Sequence, residues 1–256
     1  SSAASDVYKR QVQTAPGKLT IGDRTIGDTH DFGVITVSQV VSKSSNIGTS
    51  KIALEMQPQT LWQMYNDLGF GTPPQTGFPG ATGGRLRPAK SWRPIEQATI
   101  SYGHGISVSL MQLVRAYTAL ARNGDVIDLT FRRTSKEAVG TQIFRPEVAR
   151  QMRAMMAETV QAGTARRVNV QGYTVAGKTG TAENADHSDN LTFIGYAPYD
   201  KPEIAVAVVV EYGGSGDAAK EIAKAIFEAY FFGGAEPAAD QNAADAQAAS
   251  ALTMIR

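Results

Sequence analysis

Apolar positions recur at helical spacing through the first two thirds of the chain, then give way near residue 170 to short runs rich in β-branched and aromatic residues. Behind Pro58, Leu61, Met64, Tyr65 and Leu68 share one helical face, and Gly69 is placed to end the segment. Ser109 and Gln112 have capping-box spacing ahead of the stripe Leu110, Leu113, Val114 and Tyr117, and Gly124 can supply a left-handed C-terminal turn. A third helix is predicted from Pro146, with Glu147 in its first turn and Val148, Met152, Met155 and Val160 along one side as far as Gly163. Residues 69–94, rich in Gly, Pro and Thr and carrying Arg85, Arg87, Lys90 and Arg93, read as a long surface excursion.

After Gly172 the pattern predicts strands over Tyr173–Thr181, Leu191–Ala197 and Ile204–Tyr212. The last is almost continuously apolar, so both of its faces should be covered. A closing helix over Asp217–Phe232 repeats Ile222, Ala225, Ile226 and Ala229 at helical spacing and can pack on that sheet. The fold class that results is α/β: an antiparallel sheet flanked by helices, with a helical part ahead of it. No repeat of fixed period is present. Residues 1–11 have no apolar core of the kind a signal peptide needs and resemble translated adapter sequence, so a non-native leader is expected there, followed by one domain over 12–234. Residues 235–256, rich in Ala, Asp and Gln, lack an apolar face and are expected to be disordered or a frayed helix.

Composition changes this picture only by exclusion. With 25 Lys+Arg against 24 Asp+Glu the net charge of +1 offers no field to draw in nucleic acid or an anionic membrane surface. The absence of cysteine removes disulfides, thiolate catalysis and thiolate metal sites. The longest apolar run, Ile204–Val210, is 7 residues, against the ~20 that a membrane-spanning helix needs. His30, His104 and His187 are dispersed without metal-ligand or nucleophile–base spacing, and no role is assigned to them.

Candidate chemistry centres on Lys178-Thr179-Gly180-Thr181-Ala182, at the end of a predicted strand. A lysine and hydroxyls on an exposed strand edge can hold a substrate carboxylate, and Gly180 lets another chain approach and pair with the backbone. The same region, Gly172–Thr179, also fits the phosphate-cradling loop of nucleoside triphosphatases, with Val208–Glu211 as a possible magnesium-side strand. That loop must open into a helix, however, and the residues after Thr179 have no apolar helical face. Ser-x-Asn occurs twice, as Ser44-Ser45-Asn46 and Ser188-Asp189-Asn190. The second follows Lys178 by ten residues and reads as a polar turn between strands. The first lies between the apolar stretches Val34–Val41 and Ile47–Met56, at a helix junction from which side chains could project into a cleft.

Lys43–Leu54, Ala98–Gly124, Gly172–Glu183 and Phe193–Tyr212 together resemble the class B penicillin-binding proteins, the peptidoglycan transpeptidases. The middle of the chain is most similar to the division-specific septal type, and Phe193–Gly216 is equally similar to the elongation-specific type. The resemblance implies the penicillin-binding protein/serine β-lactamase fold and D,D-transpeptidation of stem peptides ending in D-Ala-D-Ala, with β-lactams as inhibitors and no metal or cofactor. It further implies divisome or elongasome partners and a periplasmic location on the inner membrane. Catalysis in that family runs through an acyl-serine formed by a Ser-x-x-Lys motif, yet no lysine in this chain has a serine three residues before it. A truncated fragment without its nucleophile segment is therefore expected, inactive as it stands. By resemblance, Ser44 relays protons to the leaving amine and Asn46 orients the substrate amide and the missing lysine. Lys178 supplies positive potential, Thr179 and Thr181 bind the substrate carboxylate beside Gly180, and the Thr181 N–H donates to the oxyanion. Two rivals remain: a serine β-lactamase, against which the absence of Glu-x-x-Leu-Asn speaks, and a non-catalytic sensor or pseudoenzyme.

Overall fold

The computed structural model describes residues 9–135, 137–183, 187–233 and 249–250. The first elements are short strands: β1 (Gln11–Gln13), β2 (Lys18–Ile21), β3 (Arg24–Gly27) and β4 (Val34–Thr36). β2 and β3 form a hairpin, while β1 pairs with β4. Gln11, set with the leader in the sequence reading, pairs with Thr36, and Arg10 reaches Glu55 at 2.5 Å. None of these strands was legible, because runs of three or four residues carry too few alternations to separate a strand from a polar loop.

The helical part comprises α1 (Val37–Ser42), α2 (Asn46–Leu54), α3 (Pro58–Asp67), α4 (Pro94–Ile100), α5 (Leu110–Ala121) and α6 (Pro146–Gln161). β5 (Asp125–Val126) and β6 (Thr141–Gln142) form a small ladder between the last two. The predicted caps are present: Pro58 opens α3, Ser109 and Gln112 form a capping box on α5, and Gly124 at φ +94° turns the chain after it. α4 went unread because only seven residues, Pro94–Ile100, separate its start from its end. The excursion over 69–94 is tied down more closely than a surface loop. Phe70 and Ala89 are buried, and Arg85 bridges to Ser107.

The chain then forms β7 (Ala176–Glu183), β8 (Asp189–Ala197), β9 (Ile204–Gly213), α7 (Ala218–Phe232) and β10 (Ala249–Ser250). The sheet order is β10-β9-β8-β7, antiparallel throughout. β7 begins three residues later than predicted, because Val170 and Tyr173 form a bridge around Gly172 at φ +84°. β10 is a short strand in the tail that had been expected to lack regular structure; the rest of that tail lies outside the described residues. Along β9, Val206, Val208 and Val210 pack with Phe193 and Phe227 under α7. Ala207 and Ile194 pack on the other side with Val114 of α5. Both faces are thus covered, as the unbroken apolar run demands. Phe193 and Phe227 are fully buried and meet edge to face at 6.4 Å, and each stabilises the core by roughly 1.5–3 kcal/mol. Gly177 and Gly195 are paired across β7 and β8, and a Cβ on Gly177 would lie 2.4 Å from the Phe193 ring. That close approach holds β7, and with it Lys178, against the core.

Candidate active site

Ser44 sits where α1 ends. The N–H of Ser45 donates to Val40 O at 3.0 Å and that of Ser44 to Val41 O at 3.2 Å, a Schellman turn with Ser44 at its left-handed position, φ +58°. Glycine is the usual residue there, and a side chain costs roughly 1–2 kcal/mol. From this turn the Ser44 hydroxyl meets Lys178 of β7 and Thr164. Ser45 then caps α2, its Oγ accepting from the Gly48 N–H at 2.9 Å. The same hydroxyl donates to Asp28 Oδ2 at 2.5 Å, and the Ile47 N–H donates to Asp28 Oδ1 at 3.0 Å. Asn46 Nδ2 donates to Gly27 O at 3.2 Å. The end of the β2–β3 hairpin thereby fixes the start of α2 and the turn before it.

Lys178 comes to this turn from the sheet. It lies opposite Ile194 in the β7–β8 register, on the face that meets the helical part. Its Nζ donates to Ser44 Oγ across 134 residues of sequence, and to Thr179 O at 2.9 Å. Burial pushes the Lys178 ammonium down to about 8. No carboxylate pairs with it among the described residues, so its charge is left to whatever enters the site.

A residue the sequence reading missed completes the cluster. Thr164, in the turn after α6, takes a hydrogen bond from Thr179 Oγ1 at 3.0 Å and lies 3.4 Å from Ser44 Oγ. Its backbone N–H donates to Ser42 O at 3.3 Å, which joins the end of α6 to the end of α1. Only Gly163 ahead of it carries a signal in the sequence, that of a helix terminator. An added Cβ on Gly163 would meet Ser42 O at 2.5 Å, so the glycine also permits this close approach.

Ser44, Lys178 and Thr179 are therefore brought together. Asn46 opens α2 two residues after Ser44, but its amide nitrogen donates to Gly27 O and among the described residues it makes no hydrogen bond to the cluster. Gly180 and Thr181 continue β7 on its exposed portion, paired with Thr192 and Leu191. Because β7 ends the sheet, its outer edge has no strand partner among the described residues. Ser188 is far from the cluster. It precedes Asp189, which pairs with Glu183, five residues along β7 from Lys178, or ~17 Å. His187 pairs with Glu183 at 2.6 Å on the surface there. The nucleotide-loop reading fails on the same geometry: Lys178 lies within a strand and no helix opens after Thr179. Among the described residues no group of three or more His, Cys, Asp or Glu could hold a metal ion, and no helix is long and apolar enough to cross a membrane.

The cluster can thus present an ammonium, two threonine hydroxyls and a serine hydroxyl next to a strand edge open to pairing. The model of the penicillin binding protein transpeptidase domain matches residues 4–228. The "probable peptidoglycan D,D-transpeptidase PenA" of Neisseria gonorrhoeae is 40% identical over 214 residues, 81% of this chain and 36% of the relative. The "peptidoglycan D,D-transpeptidase FtsI" of Escherichia coli K12 is 30% identical over 209 residues, 76% of this chain and 36% of the relative. The apo structure of the TP domain from Burkholderia pseudomallei penicillin-binding protein 3 superposes with a TM-score of 0.84 at 40% identity, covering 90% of this chain and 75% of that one. The chain spans about a third of the length of these two curated relatives.

Proposed function

Since this chain belongs to the penicillin-binding protein transpeptidase domain family, we propose that in its complete form it cross-links peptidoglycan as a serine D,D-transpeptidase of the septal type. The observation that carries the reading is the Lys178–Ser44 contact at the open edge of β7. An extended peptide ending in D-Ala-D-Ala can pair with that edge and present its terminal carboxylate to the Lys178 ammonium and the hydroxyls of Thr179 and Thr181. A β-lactam carries a carboxylate of the same kind and occupies the same place. The acylated serine and its lysine base come from a Ser-x-x-Lys segment that is not among these 256 residues. Ser44, already accepting a hydrogen bond from Lys178, passes a proton to the leaving amine. Asn46 keeps its side-chain carbonyl for the substrate amide, since its nitrogen is held by Gly27. The Thr181 N–H serves as a donor to the developing oxyanion. Acyl transfer of this kind needs no metal or cofactor. The setting is the periplasmic face of the inner membrane, with divisome proteins as partners.

Fluorescent penicillin tests the assignment. The 256-residue chain should show no covalent label, whereas the chain joined to a Ser-x-x-Lys segment should label. In the joined protein Lys178→Ala should slow acylation by about 10²- to 10³-fold, the cost typical of losing one oxyanion-stabilising contact. The missing motif also supports a second reading, a non-catalytic binder of β-lactams or stem peptides, and a folded joined protein that fails to label would favour it.

A further inference from the structure

α1 runs into the turn that carries Ser44, and α6 into the turn that carries Thr164. The two helix ends are close. The Thr164 N–H donates to Ser42 O at 3.3 Å, and a Cβ on Gly163 would lie 2.5 Å from the same oxygen. Six residues earlier on each helix than Ser44 and Thr164, a second contact is made, in which the Ser38 hydroxyl donates to Glu158 Oε2. Ser38–Glu158 and Ser44–Thr164 are both separated by 120 residues, so the two segments run in the same direction without slipping between the contacts. Glu158 stands in the last turn of α6, where a carboxylate opposes the helix dipole. Unlike Glu147 of the same helix, which pairs with Arg150, it forms no ion pair among the described residues. It is half-buried as well, a placement that costs a carboxylate hydration unless a donor meets it. Packing of α6 on α1 alone would be served by a neutral side chain at this position.

We propose that Glu158 is a positioning residue of the transpeptidase site: through Ser38 it fixes α1 on α6, and so holds the Ser44 hydroxyl where Lys178 and Thr164 meet it. This rests on the transpeptidase reading above and adds to it a group that touches neither the substrate nor the reacting atoms. Ser44 occupies a left-handed turn that a side chain disfavours, so the turn needs support from outside. Asp28 supplies it on the α2 side, through Ser45 and the Ile47 N–H. The Ser38–Glu158 bond supplies it on the α1 side. Without that bond α1 is free to shift along α6, and a shift carries Ser44 Oγ away from the Lys178 ammonium, which is held by its own strand.

Three variants separate positioning from packing. Glu158→Gln keeps an oxygen for the Ser38 hydroxyl, Glu158→Ala removes it, and Ser38→Ala removes the donor. In the chain joined to a Ser-x-x-Lys segment, each alanine variant should slow acylation by fluorescent penicillin about tenfold, within what a misplacement of up to ~1 Å costs. The dissociation constant of the complex that precedes acylation should stay within about twofold of the parent, because the loss falls on the chemical step. Glu158→Gln should acylate within about twofold of the parent, and the double alanine variant should be no slower than either single one, since both break the same bond. In the 256-residue chain the NMR titration midpoint of Lys178 should rise from about 8 toward 10.5 in both alanine variants and stay near 8 in Glu158→Gln. Ser38→Ala is the smaller change and keeps the test decisive should Glu158→Ala fold poorly. An unmoved Lys178 midpoint in the alanine variants overturns the inference. So does Glu158→Gln as slow as Glu158→Ala, which would assign the effect to charge, or alanine effects that add in the double variant. Weaker binding with an unchanged acylation step would overturn it too. Failure of the joined parent to label would strike the transpeptidase reading instead, and the Lys178 midpoints would still decide whether Glu158 sets the Ser44–Lys178 contact.

Discussion

Lys178 loses most of its water on folding and gains no carboxylate in exchange, which is why its ammonium is pushed down to about 8. The unfolded chain, with a lysine near 10.5, binds more protons than the folded one between those two values, so stability rises with pH through that window. Below about pH 8 both states are protonated and the full penalty applies, on the order of 3 kcal/mol at ~1.4 kcal/mol per pH unit. Lys178→Met removes the buried charge and keeps the length of the side chain. It should be at least as stable as the parent at pH 7, and its advantage should shrink as pH rises from 8 to 10.5. Urea unfolding at pH 7, 8, 9 and 10 measures this, and a pH-independent difference would show that Lys178 is not desolvated. The lysine was legible because its triplet closes a β-rich run. Its partner Thr164 was not, because a threonine after a glycine has no periodicity or spacing to set it apart.

Caps and apolar stripes were the readable part of each element, since they depend on neighbours within one or two turns. What an element holds at a distance was not readable, and Gln112 of α5 shows why. Its Oε1 accepts from the Ser109 N–H at 2.9 Å, the capping-box contact expected from spacing. Its Nε2 lies 2.9, 3.0 and 2.9 Å from the carbonyls of Gly69, Thr72 and Gly83, and only 1% of the residue is exposed. The long excursion is thus tied to α5 by one amide, a contact across 29 to 43 residues with no local signature. Two substitutions separate the roles. Ser109→Ala should cost about 1 kcal/mol, the usual value of an N-cap, and leave the excursion in place. Gln112→Leu should cost more, about 2–3 kcal/mol, because buried carbonyls lose their donor. It should also speed amide hydrogen exchange within residues 69–84 as measured by mass spectrometry. Equal exchange in the two variants would mean that the excursion is held by other contacts.

At the scale of the whole molecule, the site exists only because the helical part and the sheet are docked in one register. Family resemblance implies that Ser44 and Lys178 serve one reaction, whereas spacing alone joins nothing across the 134 residues that separate them. The least legible member of the arrangement is Asp28. It directly follows a four-residue strand, makes no hydrogen bond to Ser44, Asn46 or Lys178 among the described residues, and carries no motif. Yet its two oxygens accept from Ser45 Oγ and the Ile47 N–H, and so fix the turn that aims Ser44 at Lys178. Asp28→Ala leaves both donors without an acceptor, the Ser45 hydroxyl being 1% exposed with its residue, and should cost about 1.5–3 kcal/mol in urea unfolding. It should also let the left-handed turn at Ser44 relax, which opens Lys178 to water and moves its titration midpoint up from about 8 toward 10.5. Asp28→Asn, which keeps one oxygen for the Ile47 N–H, should lose less stability and shift the midpoint less. Titration of the lysine side chains by NMR reads the second effect independently of the first. A destabilised Asp28→Ala whose Lys178 midpoint stays near 8 would mean that the hairpin supports the fold without setting the site.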